Sequence, residues 1–196
     1  NLFLQSLTRE LFGSNDNSLE KILRQHSLKT NEKLSRKGFH SAYLDGVEEG
    51  ITALHASCYK ANLKNIKLLL SHGAKVNTIT GQGVTPFLSL VICSSAEAEG
   101  LYFLEHANPN LRIESKMGQS PLLIAMLKNY DDLAAKIIEK DSGSIHAIEK
   151  EHGMTVLFFA IVKDKKELAL KLIENGAQID LKTKNGNTAV LAAIKR

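Results

Sequence analysis

The 196-residue sequence has few of the residues that define several large classes of protein. Its two cysteines, Cys58 and Cys93, form no C-x-x-C pair, so a disulfide scaffold or zinc cluster is not expected and a reducing, cytoplasmic compartment fits best. No apolar run reaches the ~18 residues of a membrane-spanning helix, so no membrane span is expected. The chain opens with Asn1 and has no signal-peptide pattern, and we expect it to be a fragment of a longer protein.

The chain also has little excess charge and few arginines. Its net charge is +4, and 5 of its 25 basic residues are Arg. Nucleic-acid binders usually carry a dense basic stripe, and Arg is the residue best suited to contacting bases and phosphates. Nucleic acid is therefore not an expected partner. The sequence contains no Gly-rich phosphate loop and no H-E-x-x-H pair, so neither enzyme activity nor a cofactor is expected within this chain.

A short motif returns along the chain at a nearly constant interval. Glycine, a variable residue and Thr or Ser occur together five times, with spacings of 33, 35, 35 and 33 residues. The five copies are residues 50–52, 83–85, 118–120, 153–155 and 186–188. Proline follows two of them, at a position where the first turn of a helix accepts it. A period of this length is typical of a solenoid of helix pairs.

Each repeat predicts two short helices. In "LKNIKLLLSHG", Leu63, Ile66 and Leu69 share one helical face, and Gly73 is placed to end the helix in the left-handed conformation. In "TALHASCYK", Thr52 is placed to cap the first helix. These helices are shorter than the ~12–15 residues at which an isolated helix is marginally stable in water, so they need neighbours.

These phrases resemble the ankyrin-repeat family. "TALH", "GAKVN" and the second-helix ending "KLIENGAQID" carry the resemblance, which covers about residues 47–196. It implies an all-α ankyrin-repeat solenoid of stacked helix pairs with β-hairpin-like fingers. The implied repeats are residues 47–79, 80–114, 115–149, 150–182 and a partial repeat at 183–196.

The chain departs from the family pattern in three ways. The family's His after Thr-x-Leu is present as His55, whereas the other repeats hold Leu or Phe at that position. The second repeat ends in "EHANPN", without the usual glycine. Residues 1–46 are predicted to form a degenerate N-terminal capping repeat followed by a polar insert, because Asn17 and Glu20 make a capping-box pattern in "NSLEKILRQH".

The histidines are expected to be structural. The resemblance implies that His55 ties its N-cap to the neighbouring backbone. His72 and His106 fall at the ends of second helices, where the helix dipole favours partial positive charge. His146 and His152 share one finger, but without a third ligand no metal site is expected.

The resemblance implies that a partner binds the concave side, which is formed by finger tips and first helices. The residue inside each Gly-x-Thr motif lies at a finger base, and three of these are apolar: Ile51, Val84 and Met154. Either they form an exposed apolar strip suited to an interface, or they pack between fingers. Met117, in the longer finger at residues 111–117, joins the candidate set.

A second row of candidates lies eight residues past each cap. The row consists of Lys60, Cys93, Lys128, Lys163 and Arg196. In the family this position ends the first helix on the concave side, so the cations are either a ladder for an acidic partner or simply favoured there by the helix dipole, by ~0.3–1 kcal/mol. The preceding side chains offer apolar contact, with tyrosine a common hot-spot residue: Tyr59, Leu127 and Val162.

We therefore expect a module that binds another protein, whose epitope is acidic and apolar. The alternative is the non-catalytic, substrate-recruiting arm of a larger enzyme. The excess of Lys over Arg and the irregular repeats also resemble effectors that intracellular bacteria deliver into the host cytoplasm.

Overall fold

The computed structural model describes Asn31, residues 50–92 and residues 96–194. The chain divides into two compact units, Asn1–Pro109 and Asn110–Arg196. Apart from Asn31, the predicted capping repeat and insert lie outside the described residues, as do Cys93 and Arg196 of the predicted cationic row.

The first unit contains two described helix pairs. Helices α1 (Ala53–Tyr59) and α2 (Leu63–Ser71) form one pair, and α3 (Pro86–Ile92) and α4 (Glu97–Ala107) form the next. Helix α1 packs on both α2 and α3. Phe87 and Phe103 are fully buried with ring centroids 5.5 Å apart, so aromatic packing joins the second pair.

Asn31 is held against the end of α2. Its side-chain amide donates to the Gly73 carbonyl at 3.3 Å, and its amide oxygen accepts from the Lys75 amide at 2.6 Å. Gly73 itself has φ +74° and follows the last turn of α2, as the sequence predicts. One polar side chain therefore satisfies backbone groups that the helix end leaves without partners.

The second unit continues the same arrangement. Its helices are α5 (Pro121–Lys128), α6 (Asp131–Lys140), α7 (Val156–Val162), α8 (Lys166–Glu174) and α9 (Ala189–Ile194), with a 3-10 helix at Ser142–His146. First helices stack in the order α5, α7, α9, and α8 packs on α6. Both units thus show the stacked helix pairs of an all-α solenoid. Within the described residues, none of the helices is long and apolar enough to cross a membrane.

The Gly-x-Thr motif has one conformation in all five copies. Each glycine has a positive φ between +71° and +99°, which a residue with a side chain adopts only under strain. The Thr or Ser hydroxyl that follows caps the next helix in four copies by accepting from the amide three residues on, at 3.1–3.2 Å. These caps are Thr85, Ser120, Thr155 and Thr188.

The fingers are hairpin-like turns without a regular strand in the described residues. In the finger at 80–84, the Thr80 amide donates to the Val84 carbonyl at 3.0 Å, and the Thr80 hydroxyl accepts from the Val84 amide at 3.2 Å. The fingers at 115–119 and 183–187 repeat these bonds. The finger at 149–154 is one residue longer, and a glutamate replaces the hydroxyl residue.

The missing glycine of the second repeat has a simple replacement. Helix α4 ends at Asn108, which adopts the left-handed conformation with φ +46°. Asparagine tolerates this conformation better than other residues with a side chain, so the helix ends without glycine.

Candidate functional site

His55 is a buried clasp between a helix cap and the next finger. Its Nδ1 accepts from the Thr52 amide at 3.2 Å and from the Thr52 hydroxyl at 2.8 Å. Because Nδ1 accepts, the proton sits on Nε2, which donates to the Val84 carbonyl at 3.1 Å. Burial lowers the pKa of His55 to about 4, so the ring is neutral at pH 7. The predicted structural role of His55 is confirmed.

Cys58, His72 and His106 also have structural roles. Burial raises the pKa of the Cys58 thiol well above its ordinary value, so Cys58 is a buried filler and not a reactive thiol. His72 Nδ1 donates to the Leu68 carbonyl at 2.9 Å, and His106 Nδ1 donates to the Tyr102 carbonyl at 2.8 Å. Both rings therefore close second helices, as predicted.

The finger at 149–154 brings together ligand-type side chains that the sequence did not group. Atoms of Glu149, Glu151 and His152 lie within 4.8 Å of one another, and His146 is not among them. The Glu149 carboxylate accepts from the amides of Glu151 and His152, the latter at 2.7 Å. Burial acts to raise the pKa of Glu149, but these amides hold it below its ordinary value. The Glu149 carboxylate thus accepts hydrogen bonds from backbone amides in this longer finger, as the Thr or Ser hydroxyl does in the other fingers.

The predicted finger-base residues are neither fully exposed nor fully buried. Ile51, Val84 and Met154 are half-buried, and the polar residues at the same place in the other two motifs are half-buried as well. Met117, near the tip of its finger, is 74% exposed. Of the predicted apolar contacts in the fingers, Met117 is therefore the most accessible.

Among the described residues, the predicted row at the ends of the first helices is exposed in both units, except that Lys163 is half-buried. In the first unit, Tyr59 and Lys60 are exposed. In the second unit, the large side chains Leu127 and Val162 are exposed, each followed directly by a lysine. We call the four residues of the second unit the first-helix row: Leu127, Lys128, Val162 and Lys163.

The two lysines of the first-helix row are not equivalent. Lys163 Nζ donates to the Leu127 carbonyl at 3.2 Å and to Asn129 Oδ1 at 3.3 Å, so its ammonium caps the end of α5. The side chain of Lys128 makes no hydrogen bond or ion pair within the part of the chain that the structure describes. The contact from Lys163 brings the two helix ends together, while Lys128 keeps its charge available.

Sequence reasoning missed the lysines that reach back to the preceding repeat. Lys165 Nζ lies 2.6 Å from an Asp131 carboxylate oxygen, and Lys171 Nζ lies 2.5 Å from a Glu139 carboxylate oxygen. A hydrogen bond from Lys171 lowers the pKa of Glu139. In the sequence, the acidic and basic partners of these pairs lie 34 and 32 positions apart, close to the repeat period, and this spacing could have predicted the pairs.

Comparison with known proteins agrees with this geometry. The family model for the ankyrin repeat matches residues 49–81, and the motif conformation of that repeat returns four more times along the chain. Residues 49–81 are an ankyrin repeat. Ankyrin repeats are protein–protein interaction modules and are generally not catalytic.

One human protein and one solved structure are similar to this chain. Human "Ankyrin repeat and SOCS box protein 16" is 32% identical over 90 residues, which cover 46% of this chain and 20% of the human protein. The match thus spans about a fifth of that relative's length. A chain of the complex of the Bd0816 predatory endopeptidase from Bdellovibrio bacteriovorus with immunity protein Bd3460 matches with a TM-score of 0.73 and 21% identity. That match covers 97% of this chain and 91% of the other, and it shows the fold.

Proposed function

We propose that this chain binds a partner protein through the ends of its first helices, and that the bound segment carries acidic and apolar side chains. The observation that supports this is the exposure of Leu127 and Val162, together with Lys128, whose ammonium has no partner within the part of the chain that the structure describes. Exposed large apolar side chains at the ends of neighbouring helices favour an interface. A cation that has no partner among the described residues favours an acidic group on the segment that binds.

The residues of the first-helix row contribute unequally to the proposed binding of the partner. Lys128 is the main electrostatic contact, because Lys163 already bonds to the end of α5. Tyr59 and Lys60 present a similar pair of exposed side chains within the first unit. Within the second unit, the half-buried Met154 contributes less than the exposed Met117, and in the first unit Ile51 and Val84 are half-buried as well.

The first step of the test is affinity capture from cytosolic lysate followed by mass spectrometry. Binding of the captured partner is then measured by biolayer interferometry against single variants. Lys128→Glu should weaken binding at least ~10-fold, mainly through slower association, because it replaces attraction by repulsion. Leu127→Ala should instead speed dissociation.

A matched control is available on α6. Lys140 lies in the last turn of α6 as Lys128 lies in the last turn of α5, so Lys140→Glu makes the same charge change in the same dipole context. Circular dichroism should show both variants folded. Equal losses of affinity from Lys128→Glu and Lys140→Glu would mean that net charge alone matters, and the proposed surface would be withdrawn.

A second candidate function is the substrate-recruiting arm of a larger enzyme. It is favoured by the short match to the human relative, most of whose length lies outside the alignment. The gene sequence on both sides of this chain tests it directly. Delivery into a host cell as a bacterial effector is a separate hypothesis, and fusion of the chain to a translocation reporter tests that one.

A further inference from the structure

The outer stripe of α8 carries a large apolar side chain that is more exposed than its counterparts in the other second helices that the structure describes. Leu170 is 61% exposed, and the residues at the same distance from the cap are Lys67 in α2, the half-buried Leu101 in α4 and the small Ala135 in α6. Next to it, Ile173 is 46% exposed, whereas its counterpart Ile138 in α6 is fully buried. Two large apolar side chains are therefore exposed together on one short helix.

Two charges of opposite sign flank this apolar centre. Lys166 lies four residues before Leu170 and Glu174 lies four residues after it, so all three share one side of the helix. Lys166 and Glu174 are exposed. Neither side chain makes an ion pair or hydrogen bond within residues 50–92 and 96–194. Along the stripe the order is positive, apolar, negative.

We propose that this stripe docks against the same stripe of a second copy of the chain, with the two α8 helices antiparallel. A two-fold axis at Leu170 places the two leucines against each other and each Lys166 opposite the other copy's Glu174. The contact forms two ion pairs and covers Leu170 and Ile173 in both copies. A parallel pairing would instead oppose like charges, so the order of charges selects the antiparallel dimer.

The dimer contact and the proposed partner surface are separate. The stripe lies on α8, whereas the first-helix row lies at the ends of α5 and α7. One short helix from each copy makes a small interface, so the self-association should be weak and reversible, in the micromolar range. Because a two-fold contact uses the same patch on both copies, association should stop at the dimer.

Analytical ultracentrifugation of the 196-residue chain over a range of concentrations tests the proposal. We expect a monomer–dimer equilibrium, and Leu170→Glu should weaken it at least ~10-fold because it places a charge at the centre of the contact. Val162→Glu is the matched control, since Val162 is also an exposed apolar side chain at a helix surface. Circular dichroism checks that both variants are folded.

Charge reversal tests the orientation. Lys166→Glu makes the ends of the stripe both acidic, and Glu174→Lys makes them both basic, so each variant alone should associate more weakly than the wild type. A mixture of the two variants should form heterodimers at least as tightly as the wild type forms homodimers. A wild-type chain that stays monomeric, a dimer unaffected by Leu170→Glu, or a mixture no tighter than its components would each overturn the proposal.

Discussion

Helices α5 and α9 follow the same motif but differ in how many of the described helices pack on them. Leu122 in α5 and Val190 in α9 both lie two residues after their cap. Leu122 is fully buried because α6 and α7 both pack on α5, whereas Val190 is 46% exposed and α9 packs on α7. Burial in this chain is thus supplied by neighbouring helices and not by the repeat itself.

Local geometry, by contrast, is the same in both places. The hydroxyls of Ser120 and Thr188 each accept from the amide three residues on at 3.2 Å. The preceding glycines, Gly118 and Gly186, have φ +75° and +76°. The motif therefore has the same conformation whether one or two of the described helices pack on the helix that follows it, and the difference between the two regions lies in packing energy.

The largest expected effect is on the buried core. Leu122→Ala should lower the free energy of unfolding by ~2–5 kcal/mol, because it removes buried methylene groups and leaves a cavity. Val190→Ala should cost less than ~1 kcal/mol, because about half of that side chain is already in water. Urea unfolding followed by circular dichroism measures both. Similar losses of unfolding free energy would show that packing by neighbouring helices does not distinguish the two regions.

The His55 clasp should give a pH-dependent contribution that α9 lacks. Its folded pKa of about 4 lies below the ordinary 6.5, so the unfolded chain binds the proton first. The contribution is fully present above about pH 6.5 and decreases by about 3 kcal/mol as the pH falls toward 4.

The matched variant for this effect is His55→Leu, since Leu191 stands at the same position in α9. Urea unfolding at several pH values should show a flatter dependence for the variant between pH 6.5 and 4. Parallel curves for the variant and the wild type would contradict the neutral, buried ring.

Removing a helix cap should give a smaller difference between the two regions in the free energy of unfolding. Thr155→Ala removes the cap of α7 and should cost ~0.5–2 kcal/mol, whereas Thr188→Ala should cost less than ~0.5 kcal/mol because α9 is covered on one side only. Hydrogen exchange would locate each effect. Faster exchange confined to α9 in the wild-type chain supports this order, and equal protection of α7 and α9 would contradict it.

The smallest effect should come from the lysines that reach back one repeat. Lys171→Met removes an exposed ion pair with Glu139, so it should change the free energy of unfolding by at most ~1 kcal/mol. The difference from the wild type should shrink further in ~1 M salt, where such pairs are screened. A larger loss that persists in high salt would mean that Lys171 stabilises the repeat by packing and not by charge.

The sequence predicted the elements that depend on backbone conformation. The caps and the left-handed Gly73 each require particular residue types at fixed spacing, so a single sequence is enough to place them, whereas the His55 clasp was implied by the family resemblance. It did not predict that Asn108 ends α4 or that Lys163 bonds to the end of α5. Those features depend on a tolerated substitution and on where a long, flexible side chain finds an acceptor in another repeat.

The residue inside each Gly-x-Thr motif has a fixed position but a variable identity. The five occupants are Ile51, Val84, Gln119, Met154 and Asn187. They range from apolar to amide-bearing, yet each is half-buried between a left-handed glycine and a helix start. A combinatorial library at these five positions would therefore vary the chemistry of the finger bases while the glycines and caps preserve the fold. The motif thus keeps the backbone conformation constant while the side chain inside it varies.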